Sequence, residues 1–453
     1  MPSKLAKTRD ASCRSIRLIF ASLSLYSFLA MEAYRLPHDV LSTKASRATD
    51  PPIAWLLRMP IDDPEIISLA AGFVDQESLP AREVAECARE LLEGNGDKSP
   101  LQYGTSAGFL PLREEVCRML KRQGAGKDIP PDEVILTSGS QQLLHLITDV
   151  LINEGDIVLV EDPTYFVYMG TLQAAGANVL GVALDENGIV PEALEEKVQS
   201  LHKSAGVERL KLIYLMTYFQ NPTGTSLTWE RKERVYEILS KYCDLGQRTF
   251  VVEDAAYKEL RFEGEDIPYL KSLDPENHSV ALLGSFSKSF SPGLRVGFSW
   301  LPGQLLEHVL QQKGNEDFGS SNFCQHLMHR ALASGKYSRH VDMLSVRYRG
   351  KRDLMLRCLA EHFPKEVDVI KPLGGMYVWV SLPPGVNTGT DSQLFKEALR
   401  RKVLYVPGEF CYCRESGISK PTNKLRISFG MVSEENIIEG MARLGQAVRG
   451  VLP

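Results

Sequence analysis

The stretch SVALLGSFSKSFSPGLRVGFSWL, residues 279–301, sets two apolar runs on either side of a serine-rich segment that holds a single lysine. SVALLGSF (279–286) and RVGFSWL (295–301) are apolar on both faces, as strands of a sheet covered on both sides are. Between them serines stand at 285, 287, 289 and 291. That period of two predicts an extended segment with Ser285 and Ser287 on one face and Lys288 on the other. Pro292 and Gly293 predict a turn that returns Arg295 toward the serines. A lysine is ordinarily a solvated surface charge. Here it ends an apolar run among small residues that leave space. Such a lysine forms Schiff bases with carbonyl compounds once its pKa is lowered, and hydroxyls beside an arginine fork can hold a phosphate.

Outward from this stretch the chain alternates apolar runs with helical patterns. EVILTSG (133–139) reads as a strand entering a glycine turn, followed by the helix QQLLHLITDVLI. DIVLVEDP (156–163), NVLGVAL (178–184), LKLIYLMT (210–217) and TFVVED (249–254) read as further strands. PEALEEKVQSL has proline at a helix start, and another helix begins near Thr228. The pattern predicts a mostly parallel sheet covered by helices. Residues 303–362 read as helical and charged, and VDVIKPLGGMYVWVSLP (367–383) and NKLRISFG (423–430) as strands of a smaller α+β domain.

With 453 residues and 43% apolar content the chain can build a large core. A net charge of -5 gives no basic field for nucleic acid. The eight cysteines include no C-x-x-C pair, which argues against zinc or thioredoxin-type chemistry and for reduced core residues. Basic residues at 4, 7, 9, 14 and 17 precede LIFASLSLYSFLA (18–30), a pattern shared by signal and transit peptides but too short for a confident membrane span. Met31 offers a third reading, as the start of the chain. The expectation is an unstructured or spurious extension over 1–39 on a cytoplasmic enzyme, with organelle targeting as the alternative and no membrane partner.

Three other motifs bear chemistry. TSGSQQ (137–142) opens a helix after a strand, where backbone N–H groups suit a phosphate. QNPTG (220–224) is a natural turn, with Asn221 able to aim its amide at a ligand. EDAAYKEL (253–260) places Asp254 at a strand end, where it could meet a ligand or cap a helix, with Tyr257 three residues on. His145 reads as a helix residue and not as a metal ligand, since no partner stands at metal spacing.

Glycine turn, Asn-Pro-Thr-Gly, Asp-x-x-Tyr, Ser-x-Ser-Lys and a late arginine occur in one order, and together they resemble the fold type I pyridoxal-phosphate enzymes, specifically class I/II aminotransferases. The resemblance spans about residues 50 to 450. EDPTY (161–165), QYGTSAGFLPLRE (102–114) and PLGGMYVWV (372–380) are similar to the 2-aminoadipate, aromatic and branched-chain branch. It implies an α/β fold: a three-layer αβα large domain with a mostly parallel seven-stranded sheet, and a smaller α+β domain. The expected divisions are 40–99 packing with the small domain, 100–315 binding pyridoxal 5'-phosphate (PLP), 316–362 as connecting helices and 363–453 as the small domain. Lys288 would hold the cofactor as a Schiff base and then move the proton between Cα and C4′. Asp254 would pair with the pyridinium nitrogen, Asn221 and Tyr257 with the ring oxygen, and Tyr165 would stack on the ring. Ser138, Gly139, Ser140 and Gln141 would line the phosphate cup with Ser285, Ser287 and Arg295. Tyr103 would reach the phosphate of a neighbouring subunit, which implies a homodimer. Arg426 would clamp the substrate carboxylate, with Asn221, Tyr103 and Gly72 also on the substrate side.

The expected reaction is ping-pong transfer of the amino group of an aromatic, branched-chain or 2-aminoadipate-type L-amino acid to a 2-oxo acid such as 2-oxoglutarate. The same fold serves β-lyases and decarboxylases, and related domains sense ligands in transcription factors. No helix-turn-helix pattern precedes PPIAWLLRM. The sequence departs from the family before QNPTG: Thr217 stands where proline is usual, and Tyr218 replaces a smaller residue.

Overall fold

The computed structural model describes residues 40–94, 96–204, 206–415 and 418–452, so the extension expected over 1–39 lies outside the described residues. The chain divides after Ala48. The described part of the first unit is a short helix, Thr43–Arg47, capped by Ser42 Oγ on the N–H of Ala45 at 3.1 Å.

The second unit is built on an eight-stranded sheet. Its strands in chain order are β1 (Val134–Thr137), β2 (Ile157–Asp162), β3 (Asn178–Asp185), β4 (Gly188–Ile189), β5 (Leu210–Met216), β6 (Phe250–Asp254), β7 (Val280–Ser285) and β8 (Gly297–Trp300). Across the sheet they lie β1-β8-β7-β6-β5-β2-β3-β4. The pairs from β7 to β3 are parallel, and β8 runs antiparallel to both neighbours. Strands β6 and β7 are buried at every position. Period-2 alternation sends neighbouring side chains into different cores. Leu212, Tyr214 and Val252 join the core that contains Leu143 and Leu144 of the helix Ser140–Leu151. Ile213, Leu215 and Val251 join the core that contains Leu194, Val198, Val235 and Ile238 of the helices Pro191–Lys203 and Trp229–Tyr242. This is the three-layer α/β arrangement. The strand beyond the expected seven is β4, a two-residue edge strand folded back on β3.

A second sheet of β9 (Asp368–Val369), β10 (Tyr377–Ser381), β11 (Val406–Pro407) and β12 (Lys424–Ser428) is antiparallel throughout, in the order β9-β10-β12-β11. The run 367–383 is therefore two strands and not one. Between them Pro372 offers no N–H to a ladder, and Gly374 packs so closely on Phe219 that an added Cβ would lie 2.6 Å from its ring. Ile67–Ser68 pairs in parallel with Val403–Leu404, and the N–H of Ser428 donates to Leu69 O at 2.7 Å.

Strands β1, β2, β5, β6 and β7 point the same way. Ser138, Tyr165, Asn221, Asp254 and Ser285 thus gather at one carboxyl edge of the sheet, where open α/β sheets bind ligands.

Candidate active site

At this edge the turn after β1 and the segment after β7 form one concave surface. Gly139 has φ 80°, and a Cβ there would lie 2.6 Å from Arg295 Nη2. A Cβ on Gly297 would lie 2.8 Å from the backbone N of Ser140. Both glycines are needed for the arginine to approach the first turn of the helix Ser140–Leu151. Arg295 Nη2 donates to Ser138 O at 3.1 Å and Nη1 to Ser287 Oγ at 3.4 Å, while the N–H of Ser287 donates to Ser285 Oγ at 3.1 Å. A helix N-terminus, a guanidinium and two hydroxyls make an anion cradle. Gln141 contributes no side chain to it: its Nε2 is turned to Thr171 Oγ1 at 3.3 Å.

Lys288 does not sit on an extended segment. Strand β7 ends at Ser285, and residues 286–290 form a tight turn in which the N–H of Phe290 donates to Phe286 O at 2.9 Å. The small side chains thus serve a turn and not a pleat. Ser289, left without a part in the sequence reading, accepts from Tyr337 Oη at 2.9 Å and anchors the turn to the long helix Lys336–His362. Lys288 Nζ donates to Gly72 O at 2.8 Å. Burial holds its pKa below the ordinary lysine value; nearby Tyr377 opposes this, and Arg426 and Arg295 reinforce it.

Asp254 ends β6 with 3% exposure. Its carboxylate accepts from Tyr214 Oη at 2.7 Å and from the N–H of Ala256 at 3.0 Å. Burial pushes its pKa up to about 6 against the pull of those two hydrogen bonds. Residues 256–259 form a turn and not a helix, so Asp254 caps no helix.

Arg426, on β12, is 1% exposed. Its Nη1 donates to Asn221 Oδ1 at 2.7 Å and its Nη2 to Ala70 O at 2.8 Å, while its buried Nε has no partner among the described residues. The guanidinium carbon lies 4.3 Å from the ring centre of Tyr377 and 5.5 Å from that of Phe166. Tyr377 Oη meets Tyr257 Oη at 3.0 Å, and a Cβ on Gly72 would lie 2.3 Å from the same oxygen. Tyr165 precedes the helix Phe166–Ala175; burial raises its phenol pKa, and Tyr377 and Asp254 raise it further.

One buried cluster therefore brings together Gly72, Asn221, Tyr257, Lys288 and Arg426, with Asp254, Tyr165 and the anion cradle at the same carboxyl edge of the sheet. Tyr103 stands outside it. That residue is 81% exposed, with its ring edge-on to Phe318 at 5.7 Å. The sequence reading missed Tyr377, Tyr214 and Phe166. For the two tyrosines the one available signal was a polar-tipped ring inside otherwise apolar strands, LKLIYLMT and MYVWV; Phe166, at a helix start, carried none.

The donor set has a definite chemical complement. The cradle could take a dianion, Lys288 a carbonyl carbon and Asp254 a cationic nitrogen, and the unpartnered Arg426 Nε leaves a donor for a carboxylate. Pyridoxal phosphate with an amino acid presents those four groups.

The family model described as aminotransferase class I and II matches residues 64–444. Aromatic-amino-acid aminotransferase 1 of Thermococcus litoralis is 34% identical over 422 residues, covering 92% of this chain and 96% of that protein. The 2-aminoadipate transaminase of Thermus thermophilus is 36% identical over 394 residues, covering 86% and 91%. The structure of a kynurenine aminotransferase from Pyrococcus horikoshii in complex with PMP matches with a TM-score of 0.83 at 33% identity, covering 92% of this chain and 98% of that one.

Proposed function

The chain belongs to the class I and II aminotransferases, PLP-dependent enzymes of fold type I, and on that premise we propose how its own residues carry out amino transfer and on which substrates. The bound cofactor supplies the electron sink that stabilises charge at the substrate Cα. Lys288 would hold the cofactor at its carbonyl carbon, and its Nζ would serve as the base for the substrate Cα proton, a task suited to an amine whose pKa burial lowers. Asp254, oriented by Tyr214, holds the ring nitrogen in its cationic form. Asn221 and Tyr257 bind the ring oxygen, and Tyr165 covers the ring face. Ser138, Gly139, Ser140, Gln141 (through its backbone), Ser285, Ser287 and Arg295 hold the phosphate. Arg426 binds the α-carboxylate, with Gly72 closing the substrate side.

The observation that carries this reading is the convergence of Lys288, Asn221 and Arg426 in one hydrogen-bonded cluster from three distant parts of the chain. Aromatic, branched-chain and 2-aminoadipate-type donors with 2-oxoglutarate as acceptor are the proposed substrates, supported by the aromatic lining of Tyr165, Phe166 and Tyr377 and by the relatives' names. We assign 100–315 to the cofactor-binding domain and 363–453, joined by 49–99, to the smaller one, with 316–362 between them; residues 40–48 of the expected 40–99 segment fall in the first unit. A homodimer is part of the proposal. Leu101, Tyr103, Leu110 and Phe318 are apolar and 46–81% exposed, as a face awaiting a second copy is. A cytoplasmic setting fits seven described cysteines that are all unpaired.

A donor panel against 2-oxoglutarate, run on PLP-loaded protein, tests the assignment. Aromatic or 2-aminoadipate donors should transfer, and Lys288→Ala should abolish both turnover and the covalent cofactor absorbance. Transfer from aspartate alone would overturn the substrate assignment, and persistence of the covalent band in Lys288→Ala would overturn the role of Lys288.

A further inference from the structure

The segment in which this sequence departs from the aminotransferase pattern, Thr217 and Tyr218, enters a buried charged cluster that the mechanism above does not use. Thr217 Oγ1 donates to Glu253 Oε1 at 2.7 Å. Glu253, fully buried and next to Asp254, also accepts from the N–H groups of Leu270 at 2.9 Å and Lys271 at 2.8 Å. Tyr218 is 3% exposed. Lys232 Nζ lies 4.0 Å from its ring centre and Lys258 Nζ 4.3 Å. Its hydroxyl donates to Ile267 O at 2.9 Å, and the same carbonyl accepts from Lys258 Nζ at 2.7 Å. Lys232 Nζ donates to Pro268 O at 2.8 Å. The ring is thus fixed by two ammonium groups, and its tip by a carbonyl that one of them shares.

Two buried lysines are a costly way to fill space, even with Glu253 Oε1 3.4 Å from Lys232 Nζ and Asp266 Oδ1 2.8 Å from Lys258 Nζ as partial offset. Burial pushes Lys232 down to about 8 and lowers Lys258 as well. An apolar cluster would fill the same volume without that penalty, but it would not fix the angle of the ring. The need for a fixed angle lies one residue on. Phe219 has φ 44°, in the left-handed region that a bulky residue adopts only where its surroundings hold it. On its far side Gly374 and Gly375 press against it, with added Cβ atoms 2.6 and 2.8 Å from Phe219 atoms. Its N–H donates to Ser226 Oγ at 3.0 Å. Asn221 follows two residues later, its Oδ1 taken by Arg426, so that its Nδ2 donors are the ones left for a ligand.

We infer that Tyr218, caged by Lys232 and Lys258, is a positioning residue: it holds Phe219 in its left-handed conformation and so aims the Asn221 amide at the cofactor ring oxygen and at Arg426. The inference rests on the proposed role of Asn221 and adds to it the device that sets the angle of that amide.

The test uses PLP-loaded enzyme and two readouts, the pH midpoint of the bound cofactor's visible absorbance and the KM for the amino donor. An amide donor on the ring oxygen favours its anionic form. Asn221→Ala should therefore raise the midpoint by about 0.4 to 1 pH unit, the weight of one hydrogen bond. Tyr218→Leu should raise the midpoint in the same direction and raise KM, with kcat/KM falling on the order of 10- to 100-fold. Tyr218→Phe keeps a ring against both ammonium groups and should restore both readouts. Where Tyr218→Leu does not fold, Lys258→Met, which removes one of the two cations, is read the same way. A Tyr218→Leu enzyme that melts earlier but keeps the wild-type midpoint and KM would make the residue merely structural and overturn the inference. If Asn221→Ala leaves the midpoint unmoved while the enzyme still transaminates, the assignment of Asn221 fails and the inference falls with it.

Discussion

Arg426 and Asn221 are bonded to each other, Nη1 to Oδ1 at 2.7 Å, across the gap between the antiparallel sheet and the turn after β5. The proposed substrate clamp and the proposed cofactor contact are therefore one assembly. Nη2 is fixed on Ala70 O, two residues before Gly72, whose carbonyl holds Lys288 Nζ. Arg426, Asn221 and Lys288 share a single hydrogen-bonded frame, and a carboxylate entering it would reach an arginine already oriented.

Arg426→Lys tests that frame. Lysine keeps the positive charge but cannot hold Asn221, Ala70 and a carboxylate in one plane. Losing one charged hydrogen bond costs about 1.5–3 kcal/mol, so kcat/KM should fall roughly 10- to 150-fold, mostly through KM. Steady-state kinetics over a donor series checks it. An unchanged KM would mean that the carboxylate binds elsewhere.

Much of this site was legible because its parts are local in sequence. Ser285, Ser287, Lys288 and Arg295 lie within one turn-and-strand unit, and QNPTG is contiguous. What stayed hidden depends on partners far away. Tyr214 reaches Asp254 from a neighbouring strand, and Tyr377 reaches Tyr257 from another sheet. Each shows in the sequence only as a polar-tipped ring in an apolar strand, which does not name the partner it reaches. The alternation of serines pointed to an extended strand, but small polar residues suit tight turns as well, and the anchor that selects the turn is Tyr337, 48 residues further along the chain.

Glu161 gives a prediction in pH. It is 1% exposed at the end of β2, where its Oε2 accepts from the N–H of Met216 at 2.9 Å and from Gln220 Nε2 at 3.3 Å. Burial, helped by the neighbouring Asp254 and opposed by those two hydrogen bonds, pushes its pKa up to about 8. Between the ordinary glutamate range and about 8 the folded cofactor-free protein then holds a proton that the unfolded chain has lost. That contribution to stability is complete in acid and disappears as pH rises through the folded value. Glu161→Gln removes the ionisation while keeping an oxygen acceptor for Met216. Melting temperatures of the two apoproteins should be similar near pH 5, and the variant should melt higher near pH 9. Parallel curves would show that Glu161 ionises normally in the folded state.

Tyr103 and Phe318 give the prediction that decides the assembly. They stack edge-on at 5.7 Å on the surface, 81% and 60% exposed, an arrangement that leaves Tyr103 outside the cofactor site of its own chain. If Tyr103 serves the site of a second copy, a dimer of Lys288→Ala with Tyr103→Ala chains holds one doubly damaged site and one intact site, the latter with Lys288 from one chain and Tyr103 from the other. Mixing the two variants by unfolding and refolding at equal amounts makes about half the dimers hybrid and about a quarter of all sites intact. At limiting PLP the mixture should then transaminate faster than the sum of the separate variants, by an amount that approaches a quarter of wild type. If Tyr103 acted within its own chain, every hybrid site would carry a lesion and mixing would restore nothing. Phe318→Glu places a charge in the same apolar face and should shift the sedimentation of the wild-type background toward monomer, with loss of this complementation.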